Sequence, residues 1–337
     1  MGDPAGIGPE IIVKALGNRD IYGFCRPVVL GDSEVLSSTI LKASQNMSLH
    51  TITSPSEAEA VPGRIDLLAI SGLRDQAVLP GKPTVEGGNA MVEYVIKAVD
   101  MCMNGLLGAM VTCPISKVLM HRAGYLYDGH TQLIAHLTNT DAYVMMLAGE
   151  RLRVALVTIH CALKDVPDIL NMEMVYETIR ITARALRDDF GLENPYIAVA
   201  ALNPHAGEEG LFGSEEEEII SPAVGRARDN GLNVVGPFPS DTLFYKAASG
   251  QFDAVVAMYH DQGLIPLKLL HFSDAVNVTL GLPIIRTSVD HGTAYDIAGT
   301  WQADASSLKA AIKMAARMVK NRAESTGRGE RVGNDRG

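Results

Sequence analysis

Three of the nine histidines in this chain share one context. His160 follows the apolar run LRVALVTI, His205 follows YIAVAALNP, and His260 follows DAVVAMY. Each run reads as a buried β-strand. In α/β sheets, ligands sit just beyond the carboxyl ends of the strands. Imidazoles delivered there from three separate strands can converge on one point. Three neutral nitrogen donors suit Zn²⁺ or a similar divalent ion and leave positions for water and substrate, the open geometry of a catalytic metal. One such histidine alone is as readily an ordinary loop residue; the threefold repetition carries the metal reading.

The neighbours of these histidines add chemistry. NPHAGEEGLFG leads from His205 into a Gly-rich loop whose Glu208 and Glu209 read as solvated loop charges. YHDQGLIPLK sets Asp261 beside His260 and Lys268 further on. Asp261 fits either an orienter of the imidazole or a helix N-cap. In YDGHTQLIAHLTNT, His130 and Thr131 follow a glycine at the start of an amphipathic helix. Backbone N–H groups, a hydroxyl and an imidazole at a helix N-terminus make a phosphate or carboxylate site, although Thr131 serves equally as a simple cap. His136, inside that helix, reads as structural. NVTLGLPIIRTSVDHGTAYDIAGT holds Asn277 and Arg286 among apolar residues, and a guanidinium there calls for an anionic partner. Its second half, DHGTAYDIAGT, is denser in Gly, Thr and Asp than a simple connection requires.

Positioning such residues falls to an alternation of strands and helices. RPVVLG, IDLLAIS, GAMVTC, AYVMMLAG, LRVALVTI, PYIAVAALN and DAVVAMY are strand-like. TVEGGNAMVEYVIKAVDMCMNG, NMEMVYETIRITARALRDDFG and DASSLKAAIKMAARMVKNRAES are amphipathic helices. The pattern argues for a doubly wound α/β fold. AYVMMLAG and LRVALVTI, joined by the short polar ERL, form an antiparallel hairpin within it. From about residue 326 the chain is polar and Gly-rich, which predicts a disordered tail.

The opening MGDPAGIGPE tests one cofactor reading. A dinucleotide fingerprint needs G-x-G-x-x-G after a strand, and counting from Gly6 puts Ile11 where the third glycine belongs. Asp32, at the end of RPVVLGD, falls near the place of a ribose-binding acid, but many βα units end a strand in Gly-Asp. A turn with Pro9 at the first helical position is the plainer reading.

The totals bound the function. With 337 residues the chain is long enough for two domains with substantial cores. A net charge of −10 disfavours nucleic acid and anionic membrane surfaces as partners. No apolar run reaches the length of a membrane span, and MGDPAGIGPE does not have the charged-then-apolar pattern of a signal sequence. Cys25, Cys102, Cys113 and Cys161 show no C-x-x-C pairing and sit mostly in apolar runs, which predicts buried thiols in a reduced cytoplasmic protein.

MGDPAGIGPE, GHTQ, TIH, NPHAGEEGLFG, GPFPSDTLF, YHDQGLIPLK and DHGTAYDIAGT occur in the order seen in 4-hydroxythreonine-4-phosphate dehydrogenases of vitamin B6 biosynthesis. The resemblance covers nearly the whole chain. It implies the isocitrate/isopropylmalate dehydrogenase-like α/β fold, with the active site in a cleft between two α/β/α domains, residues 1–125 plus 284–337 and residues 126–283. It implies a homodimer with shared active sites, in which His260 completes the metal site of the opposite subunit. The cofactor would be NAD or NADP without a Rossmann fingerprint, and the metal one divalent ion, Zn, Co, Mg or Mn. Carried over by position, His160, His205 and His260 are the metal ligands. His130, Thr131, Lys268, Asn277 and Arg286 bind the phosphorylated substrate. Asp241 lies near the metal and is the candidate for orienting the substrate or moving a proton. DHGTAYDIAGT resembles the adenine-side loop of isopropylmalate dehydrogenases, which makes Gly292, Thr293 and Asp296 cofactor candidates. The implied reaction oxidises a secondary alcohol at C3 and then releases CO₂, the metal acidifying the alcohol and aiding decarboxylation.

Two departures bear on the substrate and the chain start. Members that make the B6 precursor typically read PGHTE where this chain has DGHTQ, so Asp128 and Gln132 differ. That shade is closer to enzymes acting on D-threonate or D-erythronate 4-phosphate, because a hydroxyl at C2 lacks the positive charge of an amino group. The chain also begins at MGDP, without the short strand that usually precedes it, which predicts a native start upstream. Two other classes compete. A metal-dependent aldolase or hydrolase without nicotinamide shares the histidines but leaves DHGTAYDIAGT without a role. A binding protein lacking catalysis would not need three metal ligands on separate strands.

Overall fold

In the computed structural model, which describes residues 1–43, 47–73 and 78–334, the expected alternation of strands and helices is present throughout. The chain divides into two units, Met1–Asp141 with Leu282–Arg317, and Ala142–Gly281 with Met318–Gly337. The second unit therefore begins at Ala142 and not at 126, and the helix that starts at His130 belongs to the first.

The first unit opens with helix α1 (Gly8–Leu16), which has proline in its first turn as its sequence predicts. Strand β1 (Val28–Asp32), helix α2 (Ser33–Lys42), strand β2 (Ser48–Ile52) and strand β3 (Arg64–Ser71) follow. The three strands form a parallel sheet in the order β1-β3-β2. Successive residues of β1 and β3 serve opposite faces, as the strand period of two demands. Val29, Ile65 and Leu67 pack with Ile11, Leu36 and Leu308 on one side, while Leu30, Leu68 and Ile52 pack with Met101 on the other. Asp32 is buried and accepts from Glu34 N, Val35 N, Leu73 N and Ser71 Oγ. It caps α2, and both its oxygens are taken up within the fold. Helix α3 (Val85–Met103), strand β4 (Met110–Thr112), helix α4 (Lys117–Arg122) and helix α5 (His130–Leu137) complete the first stretch of this unit.

In the second unit, strands β5 (Val144–Ala148) and β6 (Arg153–Leu156) form the expected antiparallel hairpin. Then come the short helix α6 (Val166–Ile169), helix α7 (Met172–Asp188), strand β7 (Ile197–Ala200), helix α8 (Ser221–Asp229) and strand β8 (Val234–Phe238). Helix α9 (Ser240–Ala248), strand β9 (Ala254–Ala257), helix α10 (His260–Leu270) and strand β10 (Val276–Leu280) close it. The strand order is β10-β5-β6-β9-β7-β8. The pairs β6–β9, β9–β7 and β7–β8 are parallel, and β5 is antiparallel to both its neighbours. β6, β9 and β7 are the strands that lead to the three histidines, and they lie side by side. On one face Val154, Leu156, Ala198, Val255 and Ala257 pack with Leu243, Leu264 and Leu267, and on the other Ala155, Val199 and Val256 are buried as well.

Strand β11 (Arg286–Val289) pairs in parallel with β4 in the first unit. Helix α11 (Ser306–Asn334) ends the chain. Where the Gly-rich composition predicts disorder from about residue 326, the helix runs on to Asn334; residues 335–337 lie outside the described residues. In the second unit, Arg322 of this helix grips the buried Asp189 with two hydrogen bonds, Nε to Oδ1 at 2.6 Å and Nη2 to Oδ2 at 2.9 Å. Among the described residues no helix is long and apolar enough to cross a membrane. The cysteines are all free, but they are not all buried: Cys113 is, Cys25 and Cys102 are partly so, and Cys161 is exposed because it lies in a loop beyond β6.

Candidate active site

His160 and His260 lie beyond the carboxyl ends of the adjacent parallel strands β6 and β9. They share a pocket of about 310 Å³, with Thr158, Cys161, Tyr259 and Asp261 among its other lining residues. Their ring centroids are 6.0 Å apart. His260 Nδ1 is 2.7 Å from Asp261 Oδ1. Tyr259 occupies the N-cap of α10, so the geometry selects the orienter role for Asp261 over the cap. The carboxylate takes Nδ1 and leaves Nε2 on the side away from it, the arrangement that fixes a metal-ligating imidazole.

His205 is the third of the strand-end imidazoles. It follows β7, the strand beside β9, but it does not line the same pocket. Among the described residues no three His, Cys, Asp or Glu side chains are set to hold a metal. Convergence of the three imidazoles on one point within a single chain is therefore not what the structure contains. His205 sits in a loop of left-handed backbone, φ 54° at His205 and 56° at Ala206, with its ring centroid 6.1 Å from that of Phe212. Two of the three imidazoles fit a divalent ion as neighbouring donors; the third donor is not supplied beside them.

His130 is the first residue of α5, after Gly129 at φ 146°. Its Nε2 is buried and has no hydrogen-bond partner among the described residues. Burial, and after it the Arg286 guanidinium, hold the imidazole well below its usual pKa, so it is neutral. Arg286 is buried at the start of β11, donates from Nη2 to Thr112 Oγ1 at 2.8 Å, and has its pKa lowered by burial to about 10. It remains a cation at neutral pH. Together they make a neutral imidazole and a desolvated cation, the chemistry that receives a phosphate. Thr131, next to His130 in sequence, is half-buried.

Gln132, the residue that separates this chain from the PGHTE pattern, is engaged locally. Its Oε1 accepts from Asp128 N at 2.8 Å, and its Nε2 donates to Asp128 Oδ2 at 2.5 Å. The side chain reaches back past the N-cap Gly129 to the residue before it and ties down the start of α5. In the second unit, Lys268 is half-buried on α10 and Asn277 half-buried on β10. Asp241 is exposed in the first turn of α9, after β8. Gly292, Thr293 and Asp296 belong to the loop after β11, and Thr293 O accepts from Ile7 N at 3.0 Å, tying that loop to the first turn of the chain.

One residue escapes the sequence reading. Gln262 is buried; its Oε1 accepts from Met258 N at 2.6 Å, and its Nε2 donates to Ala201 O at 2.5 Å and Ser240 Oγ at 2.9 Å. It stitches together the ends of β9 and β7 and the start of α9, the segments that carry His260, His205 and Asp241. Its only signal is its place in YHDQG, in the first turn of a helix, where a glutamine ordinarily faces water.

The family model for the pyridoxal phosphate biosynthetic protein PdxA matches residues 23–315. A 4-hydroxythreonine-4-phosphate dehydrogenase of Desulforapulum autotrophicum is 55% identical over 316 residues, 94% of this chain and 93% of that protein. A D-threonate 4-phosphate dehydrogenase of Pectobacterium atrosepticum is 44% identical over 320 residues, 95% of this chain and 98% of that protein. The crystal structure of a 4-hydroxythreonine-4-phosphate dehydrogenase from Klebsiella pneumoniae superposes with a TM-score of 0.88 at 43% identity, covering 95% of this chain and 98% of that one. With such agreement over nearly its full length, and with the strand-end histidines and the loop after β11 in the order that first pointed there, the chain belongs to the PdxA family of pyridoxal phosphate biosynthetic proteins.

Proposed function

We propose that this chain is a 4-hydroxythreonine-4-phosphate dehydrogenase, oxidising its substrate at C3 with NAD or NADP and releasing CO₂. The observation that carries the reading is the 55% identity to the enzyme of that name, against 44% to the D-threonate 4-phosphate relative. The pairing of Gln132 with Asp128 supports the same choice, because it removes the reason to read Gln132 as a selector of the hydroxy acids.

His160, His205 and His260 would hold one divalent ion, Zn, Co, Mg or Mn. When bound, such an ion supplies Lewis acidity toward the alcohol oxygen and the charge that develops as CO₂ departs. Asp261 keeps His260 in the tautomer that presents Nε2. Arg286 and the neutral His130 receive the phosphate, with Thr131 adding a hydroxyl. Lys268 neutralises the remaining anionic group and Asn277 hydrogen-bonds the substrate, so that the anchored molecule meets the nicotinamide at C3. Asp241 orients the substrate or moves a proton, and Gly292, Thr293 and Asp296 hold the cofactor.

The same reading includes a homodimer in a reduced cytoplasmic setting. The resemblance gives His260 to the site of the opposite subunit, and among the described residues no three possible ligands gather within one chain, which supports a shared site. Helix α10, which begins at His260, also carries an unusually exposed apolar stripe: Ile265 at 61%, Leu269 at 82% and, just past its end, Phe272 at 84%. Monomeric proteins rarely leave such a stripe in water.

Purified protein incubated with 4-phosphohydroxy-L-threonine and NAD⁺ or NADP⁺ should give reduced nicotinamide, read by its absorbance. His205→Ala should abolish turnover while leaving the fold, since that residue is exposed in a loop. Failure to reduce either cofactor, with turnover of D-threonate 4-phosphate instead, would move the chain to the sugar-acid enzymes.

A further inference from the structure

We propose that the buried carboxylate of Glu216 is the positioning residue that sets His205 for metal binding, an inference that rests on the metal reading above. From His205 to Gly210 every residue has positive φ: 54°, 56°, 82°, 44°, 54° and 86°. Four of these are not glycine, and an L-residue left to itself avoids that region. A run of this kind persists only when its surroundings over-determine it, and such strain gathers at functional sites.

Glu216 is what the loop is built around. It is 3% exposed and begins a π-helical turn, Glu216–Ile220, ahead of α8. Its Oε1 accepts from both Leu202 N and Asn203 N at 2.7 Å, the two residues that leave β7 toward His205. Its Oε2 accepts from Asn203 Nδ2 at 2.9 Å. The same Oε2 lies under Gly207, where an added Cβ would come within 2.8 Å of it. One carboxylate thus holds the entry to the loop and fills the space beneath its middle. The acidic run EEEE reads in sequence as a solvated helix face, and three of its members are not buried; Glu216 points inward instead.

The charge itself is required. In Glu216→Gln, one acceptor becomes an NH₂ facing Asn203 Nδ2, donor against donor. Asn203 cannot relieve this by turning its amide, because Nδ2 also donates to Glu215 Oε2 at 2.7 Å. The loop must then loosen, and His205 with it.

The test uses the full-length protein stripped of metal, with Zn²⁺ affinity read by chelator competition and His205 ligation by the visible spectrum of bound Co²⁺. Glu216→Gln should weaken Zn²⁺ binding about 10- to 100-fold, the loss typical of residues that orient a ligand. Its Co²⁺ spectrum should resemble that of His205→Ala, and the exposed neighbour Glu217→Gln should match wild type. Gly207→Ala attacks the same contact from the other side and should reproduce the loss, which keeps the test decisive even if Glu216→Gln does not fold. Wild-type Zn²⁺ affinity and Co²⁺ spectrum in Glu216→Gln, or in Gly207→Ala if that is the variant that folds, would overturn the proposal while leaving the metal reading intact. A wild type that takes up neither ion overturns the metal reading first, and this inference with it.

Discussion

The Tyr295 hydroxyl donates a hydrogen bond to the carboxylate of Asp3, across 292 residues of sequence and within the first unit. Asp3 is fully buried and also accepts from Ala5 N at 2.9 Å. Ile7 N donates to Thr293 O, and a Cβ on Gly6 would come within 2.9 Å of the same oxygen. The opening motif MGDPAGIGPE is therefore the platform on which the loop DHGTAYDIAGT rests, which gives it a role although it is no pyrophosphate fingerprint.

Tyr295→Phe should weaken that platform. It strips a donor from a buried carboxylate, a cost of about 1–3 kcal/mol. We expect the KM for nicotinamide cofactor to rise several-fold while kcat changes less. Burial already raises the pKa of Asp3, and the Tyr295 hydrogen bond opposes that rise. A raised carboxyl pKa makes the folded state comparatively more stable at low pH, where the group is protonated in both states. The stability deficit of Tyr295→Phe against wild type should therefore shrink as pH falls toward 4, measured by urea unfolding at several pH values.

His130 has the opposite consequence for acid. Its folded pKa lies well below its unfolded value of about 6.5. The unfolded chain takes up the proton first, so the stability that neutral His130 contributes is full above about pH 6.5. It is lost as pH falls from there toward the folded pKa, by at most about 1.4 kcal/mol per pH unit for a single proton. Comparing urea midpoints of wild type and His130→Asn between pH 8 and 5.5 should show this share of acid sensitivity only in the wild type.

Gln132→Glu tests substrate selection. Because Gln132 is bonded to Asp128, the substitution should leave the ratio of kcat/KM for 4-phosphohydroxy-L-threonine and D-threonate 4-phosphate within about threefold of wild type. It should cost a few tenths of a kcal/mol of stability, since two carboxylates then face each other at i, i+4. A tenfold swing toward the amino acid would instead mean that residue 132 faces the substrate.

Subunit mixing tests the shared site. If His260 serves the partner's metal, a heterodimer of His160→Ala and His260→Ala holds one intact site and one doubly damaged site. Random exchange should then restore about one quarter of wild-type activity, since half of the dimers are mixed and each has one working site. No recovery under proven exchange would mean that each chain builds its own site, with His160 and His260 of one pocket acting together.

What the sequence by itself determined is local. The hairpin at ERL, the helix beginning at Pro9, the helices around residues 85–103 and 172–188, and the strands that lead to His160, His205 and His260 are all written within short windows of period 2 or 3.6. The family is legible for the same reason, since its motifs are contiguous stretches in a kept order. Tertiary structure decided what depends on partners far along the chain. Glu216 is buried against residues 13 and 14 positions away, and Gln262 bonds to Ala201 from 61 positions away, yet in sequence each looks like a solvated helix residue. The left-handed run from His205 to Gly210 contains four residues that give no local sign of it. Its cost is met by hydrogen bonds to Glu216 that no short window encodes. So the sequence could place three histidines at three strand ends, but only the fold shows that His160 and His260 line one pocket.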